Sequence, residues 1–489
     1  MVETEENPKV FPFSEALKIM GDSYASHYIF NYLRDIKPLS AETCILEPKY
    51  IDKDYLIDYS KFYSRSFDID EKFTQRLHFF YNKFSEEDFD KIILNDSSKS
   101  NIEELNKYYL GFTIIKPIKD HKENKLIGRT ALQPYPKKEG DEERFYLTAK
   151  QNVSLFGINL SLESVPFQTQ DQAVAACATI ACWVTLHPLS DLFEIAKLSP
   201  YEVTEKSVTY PIAGRNFPSS GLTLDQMKNY YNSVGLDTEY IVPETFRKID
   251  LYTFKDDVVA DVTKAYLNLG LPIIIHLGLK KKIVNKYRIR HYIFERLFKL
   301  RVTDEYDYHA AVITGYRHKN GKVTELYLHD DNIGPYCKTL PMGKFSKLKY
   351  ELLPLSLGKY SDIVVLGLFI PLYPKIRFTF KEMYQGFLKH RRVIELYNEL
   401  TKVEISLDLY LTDLNKYKHD LIGKNFSRKL EILYKPLPRF LWVIRYHFQG
   451  IRLIDVIYDA TAVYNKTPQE VIVYQPLMSS SLRSQPVLP

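Results

Sequence analysis

The sequence predicts an α+β protein of two or three units, and three observations carry that expectation. At 489 residues the chain exceeds what one compact core usually holds. Segments of helical spacing sit beside short apolar runs that read as strands. Two such runs are joined by Lys319-Asn320-Gly321-Lys322, a strong hairpin-turn signal, so antiparallel sheet is expected.

From residue 1 to about 145 the reading is mixed α+β. SYASHYIFNYLRDI and SEEDFDKIILN are spaced as helices, the second with Ser85 as its N-cap, and FTIIKPI from Phe112 reads as a strand. PYPKKEGDEER, just before Phe145, reads as a charged, exposed loop and marks the first boundary. Residues 146–372 form the central region. There GLTLDQMKNYYNSVGL is a helix with a Thr223/Gln226 capping box, a stop at Gly235, and an apolar face of Leu224, Met227, Tyr231 and Val234. LGLPIIIHL, from Leu269, is a buried strand whose His276 reads as a packed core residue. From 373 to 489 comes a C-terminal α+β region. FKEMYQGFLKHRRVIELYNEL is a helix, FLWVIRYHF and IRLIDVIYDATAVY are strands around a Gln449-Gly450 turn, and SSSLRSQPVLP is a loose tail.

Composition excludes several classes. Hydrophobic residues make up 45% and charged residues 26%, the ordinary globular balance. The net charge of +5, from 66 basic and 61 acidic residues, is too even to point to nucleic acid. Four cysteines (Cys44, Cys177, Cys182 and Cys337) do not make a disulfide framework in so long a chain. MVETEENPKV lacks the basic-then-apolar pattern of a signal peptide, and no apolar run approaches the ~20 residues of a membrane span. The expected setting is reducing and cytoplasmic, where a free thiol survives.

The chemistry concentrates in the central region. From Ala173 to Leu186 only Thr179 and Thr185 are not apolar, so this helix is expected to be buried all round. Asp171 or Gln172 stands where the chain turns into it. Cys177 then falls in or near the first turn, where unpaired N–H groups and the positive end of the macrodipole favour a thiolate. Cys182 is rotated about 140° from it and lies a turn deeper, so it reads as a core residue. A lone cysteine on an apolar helix is more often a small hydrophobe than a nucleophile; its partners change the balance. His309 opens HAAVITGY, and the return strand VTELYLHD ends at Asp330, so both sit at the same end of one hairpin. A carboxylate on one imidazole nitrogen orients the ring, and the other nitrogen takes the thiol proton. Asp331 and Asn332 are alternatives to Asp330. A metal site from His329, His318 and the Asp pair lacks compact ligand spacing.

QTQDQAVAACATIACW, GLTLDQMKNYYNSVGL, GLPIIIHL, HAAVITGY and HDDNIGPY occur in this order over about residues 165–340. Together they resemble the papain-like cysteine peptidase superfamily, and within it the bacteriocin-processing (double-glycine leader) peptidase branch. The resemblance implies a papain-like central domain: a helical half bearing Cys177, a twisted antiparallel sheet bearing His309 and Asp330, and a cleft between them for an extended peptide. It implies Cys177 as nucleophile, His309 as general base and then acid, Asp330 as orienting carboxylate, and Gln170 with the Cys177 N–H as oxyanion hole. The glutamine of such sites lies six residues before the cysteine; here Asp171 stands there, with Gln170 and Gln172 on either side. Ala178, not glycine, follows the cysteine. The implied activity is thiol hydrolysis of a peptide or isopeptide bond in a protein partner, with no cofactor or metal. Transamidation, deamidation and a non-catalytic binding scaffold are the alternatives. Between Lys280 and Arg301 nine basic residues face one acid, Glu295; this run reads as a solvated face or as a docking surface for an acidic partner, nucleic acid being the lesser expectation.

Overall fold

The computed structural model describes residues 9–474, apart from 36–39, 66–70, 95–98, 121–122, 140–141, 172, 210–220, 244–253, 255–256, 282–305, 320, 352–359 and 465. The expected C-terminal tail, nearly all of the basic run and the alternative oxyanion residue Gln172 therefore lie outside the described residues. The architecture is α+β, with helices packed on antiparallel sheets.

The N-terminal part is a five-stranded antiparallel sheet in sequential order: β1 (Lys9–Pro12), β2 (Thr43–Tyr50), β3 (Thr74–Phe80), β4 (Tyr109–Lys119) and β5 (Lys125–Leu132). Its helices are α1 (Ala16–Met20), α2 (Tyr24–Asp35), α3 (Lys53–Lys61), α4 (Glu86–Leu94) and α5 (Lys99–Lys107). Ser85 accepts a hydrogen bond from the Asp88 N–H and so caps α4 as its sequence requires.

The charged stretch before Phe145 is loop only over residues 134–137 among those described. The rest forms strands β6 (Lys138–Glu139) and β7 (Glu142–Tyr146), which pair with each other and extend the central sheet. The reason is Arg144. Its guanidinium is buried, donating to Tyr327 Oη at 2.8 Å and to the Pro136 carbonyl at 2.9 Å, so the segment is held down despite its charge. A separate hairpin follows, β8 (Lys150–Leu155) and β9 (Ile158–Glu163).

Four helices come next: α6 (Cys177–Phe193), α7 (Pro200–Ser207), α8 (Leu224–Ser233) and α9 (Val258–Leu269). The Thr223/Gln226 capping box forms, and Gly235 at φ +82° ends α8. Met227, Tyr230 and Tyr231 lie on its buried face, whereas Leu224, expected there, is 36% exposed. The remaining central strands are β10 (Asp237–Ile241), β11 (Ile273–Lys281), β12 (Tyr306–Lys319), β13 (Lys322–Asp330), β14 (Gly334–Met342), β15 (Lys344–Tyr350) and β16 (Tyr360–Leu372).

Strands β12 to β16 pair in succession, and β11 pairs with both β12 and β16. The six strands therefore close into an antiparallel ring. Strand β12 outruns β11 and takes β7 on the freed edge, whereas β16 outruns β15 and takes β10 on that edge, opposite β11. Gly315 makes the first exchange fit: a Cβ there would lie 2.5 Å from the Phe145 carbonyl oxygen. The hairpin turn closes Lys319 against Lys322, with Gly321 at φ +76°.

The C-terminal part is helix α10 (Phe380–Thr401) followed by a sheet of β17 (Ile405–Asp413), β18 (Phe440–Phe448), β19 (Ile451–Asp459) and β20 (Pro468–Val473), with α11 (Leu414–Ile422) and α12 (Lys429–Tyr434). Gln449 and Gly450, both at positive φ, form the turn between β18 and β19. One hydrophobic core runs through all three parts, taking in Phe79 and Leu132, then Trp183, Ile275 and Ile313, then Trp442 and Ile444. No helix among the described residues is long and apolar enough to cross a membrane.

Candidate active site

Helix α6 does not begin at Ala173, where the apolar run begins. It begins at Cys177, behind an N-cap, Ala176, that offers no side chain to the first-turn N–H groups. Asp171 caps the turn before the helix instead. Its Oδ1 accepts from the N–H groups of Ala173 at 3.0 Å, Val174 at 2.9 Å and Ala175 at 2.8 Å. Three residues are thus spent on a turn, and the thiol is delivered to the first helical position with its side chain partly exposed. Cys182, in contrast, is fully buried, and burial pushes its thiol up to about 12. All four cysteines are unpaired.

Strands β12 and β13 supply the other groups. His309 lies near the start of β12, and Asp330 ends β13, so the antiparallel hairpin sets them side by side. His309 Nε2 donates to Asp330 Oδ1 at 2.9 Å. The Cys177 thiol lies beside the same imidazole, close enough to raise its pKa. Asp330 is fixed from two further directions: Tyr350 Oη donates to its Oδ2 at 2.5 Å, and the Asn332 N–H donates to its Oδ1 at 3.0 Å. Asn332 Nδ2 stands 3.5 Å from His309 Nδ1, and Gln170 Nε2 donates to Asn332 Oδ1 at 2.9 Å. The structure therefore brings Cys177, His309, Asp330, Asn332 and Gln170 into one cluster. Asp331 joins it, with Oδ1 3.7 Å from His309 Nε2.

The electrostatics follow from this packing. Burial alone would favour a neutral His309 ring. The charge and hydrogen bond of Asp330, the neighbouring Cys177 thiol and the charge of Asp331 outweigh it, and hold its pKa well above the ordinary histidine value. Burial likewise opposes ionisation of Asp330, but His309, Tyr350 and the Asn332 N–H bring its carboxyl below the usual range. Asp331 goes the other way: burial, against the pull of His309 and reinforced by Asp330, pushes it up to about 7. Its Oδ2 is buried with no hydrogen-bond partner.

Among the described residues, His309, Asp330 and Asp331 are the one grouping whose donor atoms, all within 4.8 Å of one another, could hold a metal ion. The fit is poor, because Asp330 already spends both oxygens on His309, Tyr350 and Asn332. His329 points the opposite way along β13, donating from Nε2 to the Val165 carbonyl and accepting at Nδ1 from the Tyr336 N–H; its ring is held near 4 by burial. His318 sits at the far end of β12. His276 is packed against Phe369 and Tyr240, and burial lowers it to about 4.

Tyr350 and Tyr63 (whose hydroxyl donates to Asp171 Oδ2 at 2.6 Å) are members of the cluster that sequence reasoning missed. Neither stands near a motif, since both arrive through long-range packing. A cavity of about 1810 Å³ opens elsewhere, between the β12–β13 turn and the C-terminal sheet, with Lys264, His318, Asp408 and His447 in its wall. It contains no thiol and lies away from this cluster. In comparisons with known proteins, no family model matches the chain and no curated protein matches it.

Proposed function

We propose that this protein is a papain-like thiol hydrolase that cleaves a peptide or isopeptide bond in a protein or peptide partner, in a reducing compartment such as the cytoplasm. One observation carries the reading: a partly exposed thiol at a helix N-terminus stands beside an imidazole that a buried carboxylate holds. Buried structural cysteines do not require a histidine, and a structural His–Asp pair does not require a thiol.

In this reading His309 takes the Cys177 proton, and the sulfur attacks the carbonyl carbon of the scissile bond. The oxyanion that forms is met by first-turn N–H groups of α6, with the Gln170 amide at the edge of the site. His309 returns its proton to the leaving amine as the C–N bond breaks, leaving an acyl-thioester. Water, deprotonated by the same imidazole, then releases the acid and restores the thiol. Asp330 stays ionised throughout and fixes the ring.

The test is the pH dependence of Cys177 alkylation by iodoacetamide, read by mass spectrometry. Wild type should label rapidly well below the pH range of an ordinary thiol, and His309→Ala should lose that low-pH limb. An ordinary thiol profile in both proteins would sink the proposal. With a partner in hand, a cut chain is the expected product; a crosslink or a converted glutamine would redirect the chemistry to transamidation or deamidation.

A further inference from the structure

We infer that the N-terminal part of the chain is a constituent of the catalytic site, acting through a Tyr63–Asp171 couple that positions the nucleophile; this rests on the thiol-hydrolase reading above. Asp171 joins the two parts. One carboxylate oxygen gathers three successive backbone N–H groups, and the Asp171 N–H closes the turn on the Ala175 carbonyl at 3.2 Å. The other oxygen is taken by the Tyr63 hydroxyl. Tyr63 belongs to the N-terminal part, just beyond α3, and is buried. The turn leads without a spare residue into Ala176 and Cys177.

Independent contacts hold the same segment. Val174 is buried in a small hydrophobic cluster with Tyr55, Tyr63, Ile118 and Leu126, all from the N-terminal part. Upstream, Phe167 bridges to Thr130 on β5, and the Thr169 N–H donates to the Ile127 carbonyl at 3.0 Å. Helix α3 reaches further along the catalytic half: Trp183 Nε1 donates to Asp54 Oδ2 at 3.0 Å, and the Tyr201 N–H donates to Asp58 Oδ1 at 3.0 Å. Gln170, inside the segment, carries the tie to Asn332 on the sheet side. The thiol and the Gln170 amide therefore take their positions from a frame built by residues 54–63 and β5. Asp171 and Tyr63 touch no reacting atom; they are positioning residues, and a small displacement of the turn would misplace the sulfur against His309.

The experiment compares wild type with Tyr63→Phe, Asp171→Ala and Asp171→Asn, all in the full chain. Three readouts are taken: the pH profile of Cys177 alkylation, hydrogen exchange of the 173–175 amides, and thermal unfolding. Asp171→Ala should lower the low-pH alkylation rate on the order of 100-fold and speed exchange of those amides. Asp171→Asn, which keeps an acceptor for the three N–H groups, should recover most of the rate. Tyr63→Phe, which keeps the buried ring, should lose roughly 10-fold at nearly unchanged unfolding temperature. If Asp171→Ala does not fold, Tyr63→Phe still decides. Full low-pH reactivity in Tyr63→Phe, or in a folded Asp171→Ala, would overturn this inference while leaving the hydrolase reading intact. An ordinary thiol profile in wild type would overturn both.

Discussion

His309 has two carboxylate neighbours, and they do different work. Asp330 is hydrogen-bonded and ionised, whereas Asp331, buried with one orphaned oxygen, holds its proton up to about neutrality. Below about pH 7 Asp331 is uncharged and adds nothing to the imidazolium. Above it, a second negative charge appears 3.7 Å from Nε2 and strengthens the ring's hold on its proton. Asp331→Asn removes that charge, so the midpoint for loss of the His309 proton should fall. Tyr350, Asp330 and Cys177 are the other titratable groups facing this centre, and the substitution leaves all three in place. NMR titration of the His309 ring protons in wild type and Asp331→Asn measures the difference; equal midpoints would show that Asp331 is electrostatically silent.

The turn between β13 and β14 carries Asp330, Asp331 and Asn332, and its seat is set by one glycine. A Cβ on Gly334 would lie 2.1 Å from the Tyr28 ring, so α2 packs directly on the backbone there. Gly334→Ala should destabilise the protein by about 1–3 kcal/mol, the usual cost of overpacking, and should slow Cys177 labelling as the turn shifts. Gly386, inside α10, has open space at its Cβ position, and Gly386→Ala should stabilise by roughly 0.5–1 kcal/mol. Denaturant midpoints check both, and opposite signs are expected. The elements that the sequence made legible are the locally encoded ones: the Thr223/Gln226 capping box, the Lys319–Lys322 turn, the Gln449-Gly450 turn, and the order Cys177, His309, Asp330. What it hid depends on distant partners. Arg144 looks like a loop residue until Tyr327 is beside it. Asp171 reads as a helix cap until the turn at 173–175 is seen to consume its oxygen. Closure of β11 onto β16 leaves no local pattern, because a strand buried on both faces reads the same in a ring or an open sheet.

At the scale of the molecule, the two tryptophans report on different parts. Trp183 lies in α6 and bonds Asp54 of the N-terminal part; Trp442 lies in β18 and donates to the Phe378 carbonyl at 2.7 Å. Both belong to one continuous core. Unfolding should therefore be cooperative. In Trp183→Phe and in Trp442→Phe, fluorescence of the remaining tryptophan should change together with far-UV circular dichroism. If the Trp442 signal moved at lower denaturant than the dichroism, the C-terminal sheet would be a separately folding unit.

The closed ring also orders events in time. Strands β12 and β13 are joined by a short turn and can pair early, so His309 and Asp330 meet soon after they are made. Strand β11 must find β16, with Ile274 opposite Phe369 across a long stretch of chain, and such pairings form late. Helix α6 rests on β12 and on β11, so its sulfur has a settled place against the imidazole once these strands are in position. On the thiol-hydrolase reading proposed above, a nascent or partly unfolded copy of this chain would be disarmed: its thiol would be there, but with no base to activate it.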